Sequence, residues 1–243
     1  MSQRQAWLER IANVKATKRI PIIAEIKPSS PSAGQLLKER SIEDIVDAYV
    51  TGGAACISVV TGRWFGGELD MLARVAKLTS LPLLRKDLIV NLDQIKKSID
   101  YGANAVLLTK KVLQPSHLEK MIDLCLSLQV TPFIEVATEE EIASLPSHQQ
   151  TIIGIANRDI ARKEMDLDSG LKSFSLIAGA KGKAGALISA SGISTSLEAN
   201  VLYAAGFDGL LVGTSLLQAQ DPLIALQKLT TKIPAAIPEP ALA

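Results

Sequence analysis

The sequence predicts an α/β fold of one kind, a single (β/α)8 TIM barrel with a short N-terminal helical extension. Three observations carry this. A phrase recurs in which a helical segment ends at glycine and a near-continuous apolar run follows, as YVTGGAACISVV, SIDYGANAVLL and LYAAGFDGLLV. Glycine in that place accepts the left-handed conformation of a helix C-cap, and unbroken apolar runs are what parallel strands covered on both faces require. Eight such runs can be counted, the number that closes a barrel. The length of 243 residues suits one barrel, which takes about 250, and no linker or shift in composition divides 1–243.

Taken in order, residues 1–20 form the extension, with WLERIANV reading as a short helix over 7–14 that covers the bottom or edge of the barrel. Strands are expected at 21–26, 56–60, 82–85, 105–108, 131–134, 152–155, 186–189 and 209–212. The first helix follows Ser41, which with Asp44 makes a capping box ahead of IEDIVDAYV. Further helices are expected at 69–78, 92–101, 116–128, 139–145, 170–179, 197–205 and 222–229. The Pro/Ala-rich stretch 233–243 reads as a flexible tail.

Composition narrows the function. Hydrophobic residues at 47% and charged residues at 21% are those of a globular protein able to bury a sizeable core. A net charge of +1, without a basic tract, argues against nucleic acid. No apolar segment reaches the ~18 residues of a membrane span, and the polar start is unlike a signal peptide. Cys56 and Cys125 lack metal-ligand spacing and read as buried thiols in a reducing cytoplasm. His117 and His148 are expected in or near helices, where a lone histidine is seldom a metal ligand. Serine-hydrolase, P-loop and dinucleotide motifs are missing.

Active sites of such barrels lie at the C-terminal ends of the strands. Unusual polar residues collect there: Glu25 and Lys27 after strand one, Lys86 between Arg85 and Asp87, Glu135, then Asn157, Arg158 and Asp159. Side chains two apart on a strand share a face, so Glu25 and Lys27 project together. A charged pair on an inner face is expensive unless used or paired, and a structural ion pair is the plain alternative. With Lys86 and Glu135 they form a set able to donate and accept protons without a metal. A Schiff-base role for Lys86 is not indicated by its neighbours alone. The turns ISASGIS and LVGTSLL suit phosphate binding, or else are tight turns capped by Ser and Thr.

These motifs, IIAEIKPSSPSAG, RWFGG, PLLRKDLIV, PFIEV, the NRDI run and the SGIS and VGTSLL pair, resemble indole-3-glycerol phosphate synthase from about Ile20 to Leu217. The resemblance implies a lyase of tryptophan biosynthesis. Its reaction is decarboxylating ring closure of 1-(2-carboxyphenylamino)-1-deoxyribulose 5-phosphate to indole-3-glycerol phosphate. It further implies Lys86 as general acid, Glu135 as its acid/base partner, and Lys27 and Glu25 as positioning and proton-assisting groups. Ser30, Phe65, Asn157 and Arg158 would contact the substrate, and Ser191, Gly192, Gly213 and Thr214 would hold the phosphate. No cofactor and no metal is expected. The implied partner is a small phosphosugar, with no nucleic acid and no membrane, for a cytoplasmic monomer or weak homodimer.

Three departures from the family pattern fall in the site. Ala156 stands where the family usually has Asn, Ala190 where it has Glu, and Thr109, Lys110 and Lys111 where it has small or apolar residues. They are open to three readings: a slower synthase, a paralogue acting on a related aminoaryl ribulose phosphate, or a phosphosugar-binding barrel without catalysis. Retention of Glu25, Lys27, Lys86 and Glu135 argues against the third.

Overall fold

The computed structural model describes residues 3–157 and 172–232, with side chains from Trp7 onward. Eight strands pair in parallel in chain order: β1 (Ile22–Ile26), β2 (Cys56–Val60), β3 (Leu83–Lys86), β4 (Ala105–Thr109), β5 (Thr131–Val136), β6 (His148–Ala156), β7 (Ala184–Ala190) and β8 (Gly209–Val212). β8 then pairs with β1, from Ile22 opposite Leu210 to Ala24 opposite Val212, and the barrel is closed.

The helices are α1 (Gln3–Ala16), α2 (Ile42–Gly52), α3 (Leu69–Leu78), α4 (Leu92–Asp100), α5 (Pro115–Ser127), α6 (Glu139–Ala143), α7 (Lys172–Ala180), α8 (Ser196–Ala205), α9 (Thr214–Gln218) and α10 (Pro222–Thr230). Their starts obey local chemistry. Ser41 with Asp44, Asn91 with Gln94 and Thr195 with Glu198 each close a capping box, satisfying N–H groups that the helix leaves unpaired. The glycine ends expected of the recurring phrase are present as left-handed caps at Gly53 and Gly206.

Two apolar layers share the strands. Outward residues such as Ile22, Ile57, Val106 and Ile153 pack under the helices. Inward residues Ile23, Cys56, Leu84, Leu107, Phe133, Ile152, Ile188 and Leu211 form a second cluster, which Trp7, Ile11 and Val14 of α1 join. Arg10 donates to the carbonyls of Ala54 and Ala55, just before β2. The extension therefore plugs the N-terminal end of the barrel, and its opposite end is the mouth.

Differences from expectation have local causes. β6 begins at His148, ahead of the expected start at 152, through an irregular pairing between His148 and Ile152. The polar run His148, Gln149, Gln150 carries no apolar signal of a strand, and His148, expected in or near a helix, begins β6 by pairing with Ala184. The loop after β1 folds into a small antiparallel ribbon, Ser29–Ser30 with Gly34–Gln35. Residues 233–243, expected as a tail, lie outside the described residues. Among the described residues no helix is long and apolar enough to cross a membrane.

Candidate active site

Strand alternation brings the four candidate ionisable groups to the mouth end of the barrel's inner wall. Glu25, Lys27, Lys86 and Glu135 are 3%, 2%, 6% and 7% exposed, so none is a solvated surface charge. Lys27 Nζ stands 3.4 Å from Glu25 Oε1 and Lys86 Nζ 3.3 Å from Glu25 Oε2. A relaxed charge-assisted hydrogen bond is about 2.7–2.9 Å. Glu25 Oε2 is buried within ion-pair distance of Lys86 yet has no aligned hydrogen bond. One carboxylate thus lies between two ammonium groups. Tyr49 of α2 donates to the Glu25 carbonyl at 3.0 Å and fixes the backbone behind the carboxylate. Burial, then the Glu25 charge, raises the Tyr49 pKa far above its ordinary value, keeping the phenol a neutral donor.

The end of β3 separates two neighbouring cations by face. Lys86 points inward. Arg85 points outward, donating to Asp87 at 2.7 Å, to Thr61 Oγ1 and Ser98 Oγ, each at 3.1 Å, and to the Gln94 carbonyl. Asp87 is thereby the partner of Arg85, and it also accepts from Thr61 Oγ1 at 2.8 Å.

Aromatic character enters from the loop after β2. The turn Arg63–Phe65 buries Phe65 to 3% exposure and leaves Trp64 51% exposed. Lys27 Nζ lies 5.2 Å from the centre of the Phe65 ring, within cation–π range. Ser30 is buried in the ribbon, where its hydroxyl accepts from the Ala33 N–H at 3.2 Å and meets Ser32 Oγ at the same distance.

Beside this cluster opens a cavity of about 230 Å³, whose lining includes Glu25, Lys27, Ser191, Gly192, Gly213 and Thr214. Ser191 and Gly192 both take left-handed backbone, with φ of 67° and 72°. Ser215 Oγ donates to the Ile193 carbonyl at 2.8 Å, tying the turn after β7 to the one after β8. Glu198 also reaches the lining, but its carboxylate accepts from the N–H groups of Ser194 and Thr195, each at 2.8 Å. Burial opposes its charge, yet these bonds and those of the two hydroxyls hold its pKa below the ordinary value. The start of α8 is therefore closed by its own carboxylate, and the Ser191 to Gly192 and Gly213 to Thr214 turns form the open part of the lining.

A model of the family described as indole-3-glycerol phosphate synthase matches residues 2–229. This chain belongs to that family. It is 37% identical to indole-3-glycerol phosphate synthase of Pyrococcus furiosus over 88% of its length and 93% of that protein's. It is 35% identical to the synthase of Rhodopirellula baltica, over 89% and 83%. With the synthase of Carboxydothermus hydrogenoformans it shares 36% identity over 94% and 84%. A solved structure from Aquifex aeolicus shares the fold, with a TM-score of 0.64 at 10% identity, covering 94% of this chain and 98% of the other.

Against the family pattern, the structure places the departures with some economy. Ala156 and Ala190 are opposite each other in the pairing of β6 with β7, on the inner face and both buried. Methyl groups thus form the wall between Glu135 and Ser191. Asn157, expected to touch substrate, turns the other way. Its Nδ2 donates to Ser189 Oγ at 3.1 Å and to the Ser191 carbonyl at 2.8 Å, and its Oδ1 accepts from the Ser173 N–H at 2.8 Å. Alternation is the reason: Ile153 and Ile155 pack in the outer layer, and Asn157 continues that face. It holds the Ser191 turn from behind. Arg158 lies outside the described residues. Sequence reading missed Tyr49 and Glu198, which act through long-range contact and capping; the Thr-Ser-Leu-Glu spacing was the available signal for the second.

Proposed function

We propose that this chain performs its family's reaction, the decarboxylating ring closure of 1-(2-carboxyphenylamino)-1-deoxyribulose 5-phosphate to indole-3-glycerol phosphate. The observation that carries the reading is that Glu25 and Lys27 line the same cavity as the Ser191 and Gly213 turns. Lys86 joins that cavity wall through Glu25, 3.3 Å from its ammonium, which supports one small phosphosugar spanning the two groups of residues. The phosphate sits against Ser191, Gly192, Gly213 and Thr214, near Lys27. The aromatic ring packs towards Phe65. Lys86 gives its proton to the ribulose carbonyl oxygen as the ring carbon attacks, and carbon dioxide leaves. Lys86, reprotonated from water, then protonates the departing hydroxyl, which leaves as water, while Glu135 accepts the proton released from carbon as the ring becomes aromatic. Charge developing on the substrate meets groups already held in a dry wall, the arrangement that lowers a barrier most. We place the reaction in the cytoplasm, in keeping with the buried free thiols Cys56 and Cys125.

Incubation with the carboxyphenylamino ribulose phosphate, followed by indole fluorescence and carbon dioxide release, tests the reading directly. Lys86→Ala is expected to abolish turnover while inorganic phosphate still binds; an unchanged rate would remove Lys86 from its role. A second reading, a related aminoaryl ribulose phosphate as substrate, is favoured by one observation, the facing methyl groups of Ala156 and Ala190.

A further inference from the structure

Among the described residues, four buried side-chain atoms have no hydrogen-bond partner: Trp7 Nε1, Glu25 Oε2, Ser58 Oγ and Thr109 Oγ1. The first belongs to the plug at the bottom. The other three face the barrel interior, because Ser58 is two residues on from Cys56 and Thr109 two on from Leu107, both inner-cluster residues. Leaving a buried hydroxyl unpaired costs about 1–3 kcal/mol. The three atoms lie on the inner wall, on β1, β2 and β4, and Glu25 Oε2 has Lys86 Nζ at ion-pair distance.

Thr109 is the best placed of them. It ends β4, which stands between β3, ending in Lys86, and β5, carrying Glu135. Its register partner is Glu135 itself, and it is only 4% exposed. Its hydroxyl therefore sits on the wall between the proposed acid and the proposed acid/base partner, level with the latter.

We propose that Thr109 is a specificity-determining contact of the ring-closure reaction, its hydroxyl hydrogen-bonding the open-chain ribulose segment between Lys86 and Glu135. The inference rests on the function proposed above. It makes the chain selective for substrates bearing oxygen on that segment, because a deoxygenated analogue leaves the buried hydroxyl unpaired in the complex.

The test compares Thr109→Val, which deletes the hydroxyl at nearly constant size, with Thr109→Ser, which keeps it. Thr109→Val should lower kcat/KM by about five- to tenfold, the worth of one neutral hydrogen bond, and weaken binding of the non-reacting alcohol analogue of the substrate by a similar factor. Thr109→Ser should recover most of both. Thermal stability of the empty protein should hold or rise in Thr109→Val, since no partner is lost, and binding of inorganic phosphate should not change. Unchanged kcat/KM in Thr109→Val overturns the inference. A lowered melting temperature together with weaker phosphate binding overturns it too, because the hydroxyl would then be structural. If the unaltered chain neither turns over the substrate nor binds the analogue, the proposed function itself fails, and the inference with it.

Discussion

Gly213→Ala sets a methyl group where Glu25 already stands. A Cβ at residue 213 would lie 2.6 Å from Glu25 Oε1, 2.9 Å from its Cβ and 3.1 Å from its Cδ. Ordinary contact begins at 3.4 Å, so the carboxylate must retreat by roughly 0.8 Å. Two ion pairs depend on it, at 3.4 Å to Lys27 and 3.3 Å to Lys86, and a retreat of that size along either line takes the ammonium out of ion-pair reach. Backbone handedness is not the obstacle, since φ at Gly213 is −130°. Overpacking of this kind costs ~1–3 kcal/mol, or roughly 2–4 °C of Tm per kcal/mol in a chain of this size. Displacing a positioned group by about 1 Å costs ~10²-fold in rate. Steady-state turnover and thermal unfolding of Gly213→Ala should show both losses. Adding Glu25→Asp relieves the contact with the carboxylate but keeps the 2.9 Å approach to Cβ, so it should return only part of the stability and none of the activity. A Gly213→Ala protein with unchanged kcat/KM would refute the claim that Glu25 must hold this position.

Two further outcomes follow from β6 and β7. Ala190→Glu combined with Ala156→Asn should raise synthase activity, because a preorganised polar contact is commonly worth ~10²–10³ in rate; no gain on the carboxyphenylamino substrate would favour a different aminoaryl ribulose phosphate. Asn157→Ala should raise KM and phosphate Kd more than it lowers kcat, with stability falling by about 2–4 kcal/mol as the Ser191 carbonyl, Ser189 hydroxyl and Ser173 N–H lose a buried partner; equal losses in kcat and kcat/KM with intact phosphate binding would argue for direct action on substrate.

Period was the part of the fold that sequence expressed well. Continuous apolar runs and glycine-ended helices located every barrel strand, and spacing by two put Glu25 and Lys27 on one face. The same rule, applied to Arg85 and Lys86, separates an outward structural cation from an inward one. It also sends Asn157 outward, where the resemblance implied a substrate contact. What local pattern does not encode is contact between distant segments. The Tyr49 phenol behind Glu25, the Ser215 hydroxyl joining two turns and the phenyl ring of Phe133 filling the space that Gly154 leaves open are all such cases. The polar start of β6 escaped because pairing with β7, not burial, makes it a strand.

Closure of β8 onto β1 has a consequence for how activity arises during folding. The proposed acid–base groups come from β1, β3 and β5, while the proposed phosphate turns follow β7 and β8, near the end of the chain. The Ile20 N–H donates to the Thr230 carbonyl at 2.9 Å, and Arg19 reaches Thr230 Oγ1 at 2.6 Å, stitching those ends together. Such long-range contacts pay their loop-closure entropy before they return stability, and they form slowly. Helices and neighbouring strands can assemble from local contacts, but Glu25 meets Gly213 only when the first strand has met the last. The candidate site is therefore complete only in a barrel whose first strand has met its last.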